Sequence, residues 1–409
     1  MPLIVTCAKF IGIFTIDLGR RANWAVNLSD HGGVSVTRIE RVELRLVDIP
    51  PKVRRTDAIQ SFVSQETPIV AITDSDGAVG VGYSYTIGAG GSSIMRLLGD
   101  HLAPRLIGRD PERVEAIWRE LEFAIHATTI GAISALALAA IDTALWDLRC
   151  KKRGLPLWIV AGGAADRRPL YTTEGGWLHI EASALVEDAL AARERGFAGS
   201  KIKIGRPHVA EDHARLAAVR SALGDSYEIM TDANQGFTLD EASRRAGRLA
   251  ELDLAWIEEP LPADDLDGHV RLSQSTSTPI AVGESLYSIR HFREYMAKGA
   301  CNIVQVDVAR IGGITPWLKV AHAAEAFDMP VCPHFLMELH VSLACAVPNG
   351  KYVEFIPQLD GLTTSHLRIE NGCAVAPTTP GIGVDWDFDA VKTKRIAEAD
   401  KIIVEGGMR

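Results

Sequence analysis

The chain has 409 residues, of which 47% are hydrophobic and 23% are charged, and its formal net charge is −9 at pH 7. This length is enough for a large apolar core and for more than one domain. The negative charge argues against nucleic acid or an anionic membrane as a partner. No apolar run reaches the roughly 18–20 residues that a membrane-spanning helix needs.

Residues 1–36 are interpreted as an N-terminal extension. Residues 1–15 are apolar enough to resemble a weak secretion signal, but Lys9 interrupts them and the pair Arg20–Arg21 follows the apolar stretch instead of preceding it. The six cysteines form neither a CxxC pair nor a zinc spacing, and a chain of this size does not need a disulfide framework. These features favour a cytoplasmic protein.

The first predicted domain spans residues 37–155. Residues 38–50 alternate between apolar and polar side chains as a strand does, and residues 67–85 predict two strands joined by a turn. A polar loop, 51–66, lies between them, and a helical region runs from about 93 to 153. This order of elements predicts an α+β capping domain.

From residue 156 to residue 365 the pattern changes, because short apolar strands now alternate with helical stretches. Eight strands are predicted: RPLYTTE, SKIKIG, YEIMTDAN, AWIEEP, PIAVGES, NIVQVDV, MPVCPHF and KYVEF. Alternating strands and helices imply a parallel sheet, and eight such units suggest a closed barrel. The predicted fold class is therefore α/β, a (β/α)8-type barrel with an α+β capping domain that residues 366–409 complete.

Polar or charged residues recur at the ends of these strands. Catalytic groups of such barrels lie at the C-terminal ends of the strands. The intervals between the residues are 20 to 29 positions, about the length of one βα unit, so each strand presents one group to a common mouth. The residues are Lys203, Asp232, Glu258, Glu284, Asp307, His334 and Glu354.

Three of these groups, Asp232, Glu258 and Glu284, are carboxylates from successive strands. Brought together in a barrel mouth they would repel one another and would need a cation. Ligand sets made only of oxygen select a hard cation such as Mg²⁺. The alternative is that they are helix caps or surface acids, but their shared register favours a metal site.

Asp307 and His334 follow on the next two strands. An aspartate on one strand can hydrogen-bond an imidazole on its neighbour, which sets the tautomer and raises the basicity that a general base needs. A single histidine is more often structural, but the acid one unit earlier favours catalysis. His340 and Glu338, just beyond, are interpreted as helix residues.

The stretch KIKIG, residues 201–205, places two lysines on one face of a strand and two isoleucines on the other. An edge strand with a solvated side would also have this pattern. The neighbouring acids favour a buried site, in which burial and the charge of Lys201 are expected to lower the pKa of Lys203 towards that of a base.

Taken together, these motifs resemble the enolase superfamily, mandelate racemase subgroup, over residues 38–385. Enzymes of that superfamily use a lysine or histidine base together with Mg²⁺. The stretches that carry the resemblance are AAIDTALWDLRCKKRGLPL, KIKIG, TDANQ, WIEEPL, VGES, VQVDVARIGGIT, PHF and VEF.

The resemblance implies that the three carboxylates bind one Mg²⁺ per active site. It also implies that Lys203 and the Asp307–His334 pair stand on opposite faces of the substrate α-carbon. Lys201 and Glu354 are then expected to contact the substrate carboxylate, with Glu354 protonated so that it donates a hydrogen bond.

The resemblance further implies that Asn234 supports the site and that Arg310 lies behind it. Residues 206–225 are most similar to acid-sugar dehydratases of the galactarate/talarate type. Those enzymes tend to have a basic residue in the segment that here contains Tyr85, which we therefore place at the substrate. The partner of a distal carboxylate would then be Arg54 or Arg55.

The function that this resemblance implies is an Mg²⁺-dependent dehydratase of acid sugars, either aldarates or aldonates. Such a hydro-lyase removes the α-proton to form an enediolate and expels the β-hydroxyl to yield a 2-keto-3-deoxy acid. The alternative is a racemase or epimerase that uses the same Lys203 and His334. A cycloisomerase is less favoured because both bases are present, and a redox enzyme because no GxGxxG opens a βαβ unit.

A non-catalytic barrel is a further alternative, and it would have no affinity for Mg²⁺. The expected partner is a small-molecule carboxylate, and the family habit implies a homo-oligomer between a dimer and an octamer.

Overall fold

The structure is a computed structural model that describes residues 37–394 and 402–406. The expected N-terminal extension, residues 1–36, lies outside the described residues.

The strands of the described chain are β1 (Ile39–Asp48), β2 (Arg55–Thr56), β3 (Ser61–Phe62), β4 (Glu66–Asp74), β5 (Val79–Tyr83), β6 (Arg167–Thr172), β7 (Gly199–Lys203), β8 (Glu228–Asp232), β9 (Trp256–Glu258), β10 (Ile280–Val282), β11 (Ile303–Val304), β12 (Val353–Phe355), β13 (Arg368–Glu370), β14 (Cys373–Val375) and β15 (Ile402–Glu405).

The α-helices are α1 (Gly91–Leu97), α2 (Val114–Ala124), α3 (Ala132–Arg153), α4 (Leu157–Val160), α5 (Ala182–Glu194), α6 (Val209–Leu223), α7 (Leu239–Leu249), α8 (Leu266–Ser275), α9 (Ile289–Ala297), α10 (Ile314–Ala326), α11 (Met337–Ala346) and α12 (Phe388–Thr393). Helix α1 continues through a π-helical turn, Leu98–Leu102, and a 3-10 turn, Ala103–Arg105, and a further 3-10 turn, Ala250–Leu252, follows α7.

The cap is a four-stranded antiparallel sheet in the order β15-β1-β4-β5, with α3 packed against it. The close approach of α3 depends on two glycines of β5. A Cβ on Gly80 would lie 2.2 Å from the Ala144 carbonyl oxygen, and one on Gly82 would lie 2.2 Å from the Ala144 nitrogen. Because only glycine leaves this space, the strand can lie directly against the helix backbone.

The polar loop 51–66 contains a short hairpin, β2–β3, which the sequence did not predict. The hairpin reaches the barrel. The Leu178 N–H donates to the Thr56 carbonyl at 2.9 Å, and Ala58 lies against Gly205 and Gly236 at the ends of two barrel strands. The loop therefore covers part of the barrel mouth.

The barrel strands are parallel, and β12 pairs with β6 to close the circle. The prediction of a parallel (β/α)8-type barrel is confirmed. The seventh strand is reduced to bridges that join Val331 to Val304 and to Gly350. Pro330 and Pro333 flank this position, and a proline cannot donate a ladder hydrogen bond, which limits the strand to one residue.

Residues 366–409 were expected to complete the cap as a whole. This expectation is wrong for the first strands of the segment, β13 and β14. Strand β14 pairs antiparallel with β6 and so extends the barrel sheet, and β13 pairs with β14. Within the described part of residues 366–409, only β15 joins the cap sheet, where it pairs with β1. Among the described residues, no helix combines the length and the apolar character that a membrane span requires.

Asp212 on α6 fixes the segment that follows β7. Its buried carboxylate accepts from Arg245 Nη1 at 2.5 Å and from the Gly205 N–H at 2.8 Å, and it lies 3.5 Å from Arg215 Nη1. Arg215 in turn donates to the Lys203 carbonyl at 2.9 Å. This carboxylate therefore helps to hold the end of β7, together with the hydrogen bonds from the Lys203 N–H to the Gly176 carbonyl and from the Ile204 N–H to the Asp232 carbonyl.

We expect Asp212→Ala to lower the free energy of unfolding by about 3–5 kcal/mol, because buried Arg215 loses its counter-charge and buried Arg245 keeps only that of Glu241. Urea unfolding followed by circular dichroism measures the change. Asp225→Ala, at an exposed turn, is the matched control and should stay within about 0.5 kcal/mol of the unmodified chain. A loss for Asp212→Ala as small as that of the control would contradict this account.

Candidate active site

The two lysines of β7 point into the barrel mouth. All five residues of the strand are buried, and Lys201 and Lys203 are 1% and 5% exposed. Ile202 and Ile204 lie in the main apolar core. The alternation predicted from KIKIG is therefore present, and the lysine face is not the solvated side of an edge strand.

Three carboxylates converge at the ends of β8, β9 and the segment after β10. Oxygen atoms of Asp232, Glu258 and Glu284 all lie within 4.8 Å of one another, and all three residues are buried. Glu284 Oε2 accepts no hydrogen bond among the described residues, although His334 Nε2 lies 3.2 Å from it. These oxygens, from three carboxylates and no sulfur or nitrogen, form the kind of ligand set that hard divalent cations prefer.

The charges in the mouth also fit a cation. Burial and the neighbouring Asp232 raise the pKa of Glu258 well above its usual value. Among the described residues, six carboxylates share the mouth with three lysine or arginine side chains, and a divalent cation would reduce this excess of negative charge. The six carboxylates are Asp232, Glu258, Glu259, Glu284, Asp307 and Glu354, and the cationic side chains are Lys201, Lys203 and Arg310. The residues present therefore fit Mg²⁺.

Asp307 and His334 form the predicted pair. The His334 Nδ1–H donates to Asp307 Oδ2 at 2.8 Å, so the other ring nitrogen, Nε2, faces the mouth, 3.2 Å from Glu284 Oε2. Backbone N–H groups of Ala309 and Arg310 donate to Asp307 Oδ1 at 2.7 and 3.1 Å. Burial alone would raise the pKa of Asp307, but His334 and Arg310 hold it well below its usual value, so the carboxylate stays charged.

Tyr85 lies beside this pair, and it also lines a cavity that it shares with Glu284 and Arg310. Its hydroxyl, on a side chain that is 1% exposed, donates to Asp307 Oδ2 at 2.6 Å and accepts from Arg310 Nε at 3.0 Å. Arg310 also donates to Glu284 Oε1 at 3.0 Å. The cap thus contributes a group that orients Asp307, and Arg310 links that group to a candidate metal ligand.

We expect Tyr85→Phe to lower kcat about tenfold with little change in KM, because Asp307 loses one charge-assisted hydrogen bond while the ring still packs on Phe335. Steady-state kinetics measures kcat and KM separately. Tyr83→Phe is the matched control, since the Tyr83 hydroxyl is buried without a hydrogen-bond partner among the described residues. Equal effects of the two substitutions would show that the Tyr85 hydroxyl has no role at Asp307.

The expectation that Glu354 is protonated is wrong. Its Oε1 accepts from Thr173 Oγ1 at 2.5 Å and lies 2.9 Å from Lys201 Nζ, and its Oε2 accepts from the Phe335 N–H at 2.8 Å. Burial would raise the pKa of Glu354, but the charges of Lys201 and His334 and the hydrogen bond from Thr173 lower it to about 2. Glu354 is therefore an acceptor that holds Lys201 in place.

The expected fall in the pKa of Lys203 is also absent. Burial and Lys201 do lower it, as predicted, but the charges of Asp232, Glu258 and Glu284 together outweigh both, so the pKa is raised. The nearest of these is Asp232, whose Oδ2 lies 2.5 Å from Lys203 Nζ. A divalent cation bound to the same carboxylate would weaken this interaction and oppose the rise.

Arg54 and Arg55 do not share one environment. Arg54 is exposed, whereas Arg55 is buried and donates to Glu174 Oε1 at 2.8 Å, to the Pro357 carbonyl at 3.0 Å and to Gln358 Oε1 at 3.3 Å. These contacts tie the cap loop to the barrel. They give no support to the expected role of Arg55 as the partner of a distal carboxylate.

Two residues that orient Glu258 were missed. Trp256 Nε1 and Gln305 Nε2 donate to Glu258 Oε2 at 3.2 and 2.5 Å, while Lys201 donates to Oε1 at 2.8 Å. Trp256 and Gln305 each stand two positions before a strand-end acid. Side chains two positions apart point to the same side of a strand, so a residue two positions before each strand-end acid also faces the barrel interior. This rule would have identified both residues.

The loop after β8 holds Asn234 in a left-handed conformation, with φ of 43°. Its N–H donates to Asp232 Oδ1 at 2.9 Å, and its own side-chain oxygen is buried without a partner among the described residues. His340 and Glu338 lie on α11 as predicted. His340 Nε2 accepts from the Val308 N–H at 3.1 Å, and burial lowers its pKa to about 4, so it stays neutral.

Comparisons with known proteins agree with this geometry. The profile of the family described as "Mandelate racemase / muconate lactonizing enzyme, N-terminal domain" matches residues 41–162, and that described as "Enolase C-terminal domain-like" matches residues 184–391.

The L-talarate/galactarate dehydratase of Salmonella typhimurium LT2 is 36% identical over 353 residues, which cover 85% of this chain and 88% of that protein. The 3,6-anhydro-α-L-galactonate cycloisomerase of Streptomyces coelicolor is 37% identical over 357 residues, covering 86% and 98%. A crystal structure of the Salmonella dehydratase with Mg and L-lyxarohydroxamate superposes with a TM-score of 0.85 at 34% identity, over 92% of this chain and 96% of that one.

Proposed function

The chain belongs to the mandelate racemase and muconate lactonizing enzyme family of the enolase superfamily, and we propose that it is an Mg²⁺-dependent dehydratase of acid sugars. One observation carries the proposal. Three buried carboxylates converge, with a lysine in contact with Asp232 and a histidine–aspartate pair in contact with Glu284. Similarity to the dehydratase from Salmonella supports the assignment of the reaction.

The residues proposed to hold Mg²⁺ are Asp232, Glu258 and Glu284. When bound, the ion supplies a positive charge that orients the substrate carboxylate and stabilises the charge that develops on it. The Lys201 ammonium, held between Glu258 and Glu354 at 2.8 and 2.9 Å, adds a second positive charge beside the same oxygens.

Lys203 and His334 are the proposed acid–base groups. They contact different members of the carboxylate set, Asp232 and Glu284, so they approach the substrate from different ends of that set. One of them removes the α-proton, which leaves an enediolate. His334, as an imidazolium stabilised by Asp307, then gives a proton to the departing β-hydroxyl, so that water leaves and the resulting enol becomes a 2-keto-3-deoxy acid.

A screen of the purified protein with Mg²⁺ against aldonic and aldaric acids tests the proposal, with formation of a 2-keto acid as the readout. We expect at least one member to be converted. Conversion that persists in the double variant Lys203→Ala, His334→Asn would show a contaminating activity, and no keto acid from any member would refute the dehydratase assignment.

An isomerase is the second candidate, because acid–base groups on two sides also allow a proton to be removed and returned, and because a cycloisomerase is among the similar proteins. It predicts exchange of the substrate α-proton in ²H₂O, or rearrangement of the substrate, without loss of water. Nuclear magnetic resonance of the reaction mixtures distinguishes this result from dehydration.

We also propose that the protein is cytoplasmic and a homo-oligomer. The five cysteines that the structure describes are unpaired, and four of them are buried, which suits a reducing compartment. Light scattering coupled to gel filtration measures the assembly state directly.

A further inference from the structure

A cavity of about 280 Å³ extends from the candidate metal site towards the cap. Its barrel side is polar and includes Asn234, Glu284 and Arg310. Its cap side is mostly apolar, although Gln60, Tyr85 and Thr86 of the cap also line it. The apolar residues are Ile59, Ile87, Ala89, Ala132, Ile133 and Leu136. A substrate whose carboxylate lies at the metal site would extend its remaining carbons into this space.

The cavity offers no free cation for a second carboxylate. Arg310 is the only lysine or arginine among the described residues that line it. Its guanidinium is already engaged, because Nη1 donates to Glu284 Oε1 at 3.0 Å and to the Glu284 carbonyl at 3.2 Å, and Nε donates to Tyr85. The carboxylates of Glu259 and Glu284 also border the cavity, and they would repel a further anion.

The polar groups of the cavity suit hydroxyls instead. The Asn234 side-chain oxygen is buried and lacks a partner among the described residues, and Thr86, Ser285 and Tyr287 contribute hydroxyls to the lining. A hydroxyl can donate to such groups and can also lie against an isoleucine at small cost. An unpaired carboxylate in the same place would lose its hydration without compensation.

We propose that the substrate is a monocarboxylic acid sugar with an uncharged distal end, an aldonate, and that the isoleucine wall of the cap, formed by Ile59, Ile87 and Ile133, excludes aldarates. This inference rests on the proposed function, because it assumes that an acid sugar occupies the site. Ile87 is the residue that determines specificity, since it lies in the cap segment beside the cavity where a cationic side chain would reach a distal carboxylate.

Calorimetric titration of the Mg²⁺-loaded protein with galactonate and with galactarate tests the inference, since the two differ only in whether the far end is a hydroxymethyl or a carboxylate. We expect galactonate to bind at least about tenfold more tightly than galactarate. The same preference should appear in kcat/KM where turnover occurs. Equal or tighter binding of the diacid would overturn the proposal.

Ile87→Arg should reduce or reverse the preference for galactonate over galactarate, because the arginine supplies a cation for the distal carboxylate. Ile87→Met, which keeps the wall apolar, is the matched control and should leave the ratio of the affinities for galactonate and galactarate unchanged. If Ile87→Arg does not fold, Ile133→Lys introduces the charge from α3. A folded cationic variant that leaves the ratio unchanged would refute the role of the wall.

Binding and turnover separate the two proposals. Tighter binding of galactonate without any keto acid from the wider screen would refute the dehydratase assignment and support the preference for monoacids. Keto acid formed from galactarate at a higher kcat/KM than from galactonate would support the dehydratase and refute the monoacid preference.

Discussion

Lys203→Ala is expected to lower kcat at least about 1,000-fold on any substrate that the protein dehydrates. Lys203 is buried at the end of β7, and its Nζ lies 2.5 Å from Asp232 Oδ2, so in a substrate complex it stands beside the proposed site of the α-carbon. No other described lysine contacts Asp232 so closely; Lys201 lies at 3.6 Å and is bound by Glu258 and Glu354. No neighbour is therefore placed to replace it.

The measurement compares turnover with α-proton exchange in ²H₂O for Lys203→Ala and for His334→Asn. If the two groups serve opposite faces, each variant should lose exchange with substrates of one configuration at the α-carbon and retain it with the other. Lys319→Ala, at a half-exposed lysine paired with Glu115, is the control and should keep full activity. Near-normal turnover by Lys203→Ala would remove the lysine from the mechanism.

The sequence was sufficient to predict which residues meet in the barrel mouth. A polar residue recurs at each strand end, once per βα unit. Because successive strands lie side by side in the barrel, this recurrence predicts which residues are neighbours, although it gives no distances. Asp232, Glu258 and Glu284 illustrate this, since their convergence follows from topology alone. The orientation of the lysines of β7 followed in the same way from the period of two.

The protonation states could not be predicted, because they depend on contacts between strands that are distant in the sequence. Glu354 is kept charged by Lys201, by His334 and by Thr173, which come from three other strand ends. The pKa of Lys203 depends on its burial and on its distances from Asp232, Glu258 and Glu284, which the spacing of residues in the sequence does not contain.

The contacts of the cap residues were less predictable than those of the barrel residues, because the cap sequence follows no repeat. Tyr85 stands where a basic residue was expected, and only the structure shows that its hydroxyl reaches Asp307, at 2.6 Å. Arg55 looked available for a ligand because it lies in a polar loop, yet its guanidinium is bound by Glu174 and Gln358. In both cases the partner lies on the barrel, far away in the sequence.

Glu258→Gln is expected to weaken Mg²⁺ binding at least about 100-fold, more than is lost when residues behind a metal ligand are changed. The substitution keeps the size of the side chain and removes one negative charge from the set of three. An amide oxygen can still accept from a donor such as Gln305 or Trp256, and Lys201 keeps Glu354, so the surrounding structure should persist. Isothermal titration with Mg²⁺ measures the affinity without any need for a substrate.

Thermal unfolding gives a second readout of the same site. A cation that binds only the folded chain stabilises it in proportion to the logarithm of its concentration, so Mg²⁺ should raise the midpoint of the unmodified protein and not that of Glu258→Gln. Glu338→Gln is the matched control, because Glu338 is another largely buried acid, on α11, outside the group of converging ligands. It should respond to Mg²⁺ as the unmodified chain does. Equal Mg²⁺ responses of the unmodified protein and Glu258→Gln would show that the three carboxylates are not the metal site, and the role of the cation in the proposed dehydration would have to be assigned elsewhere.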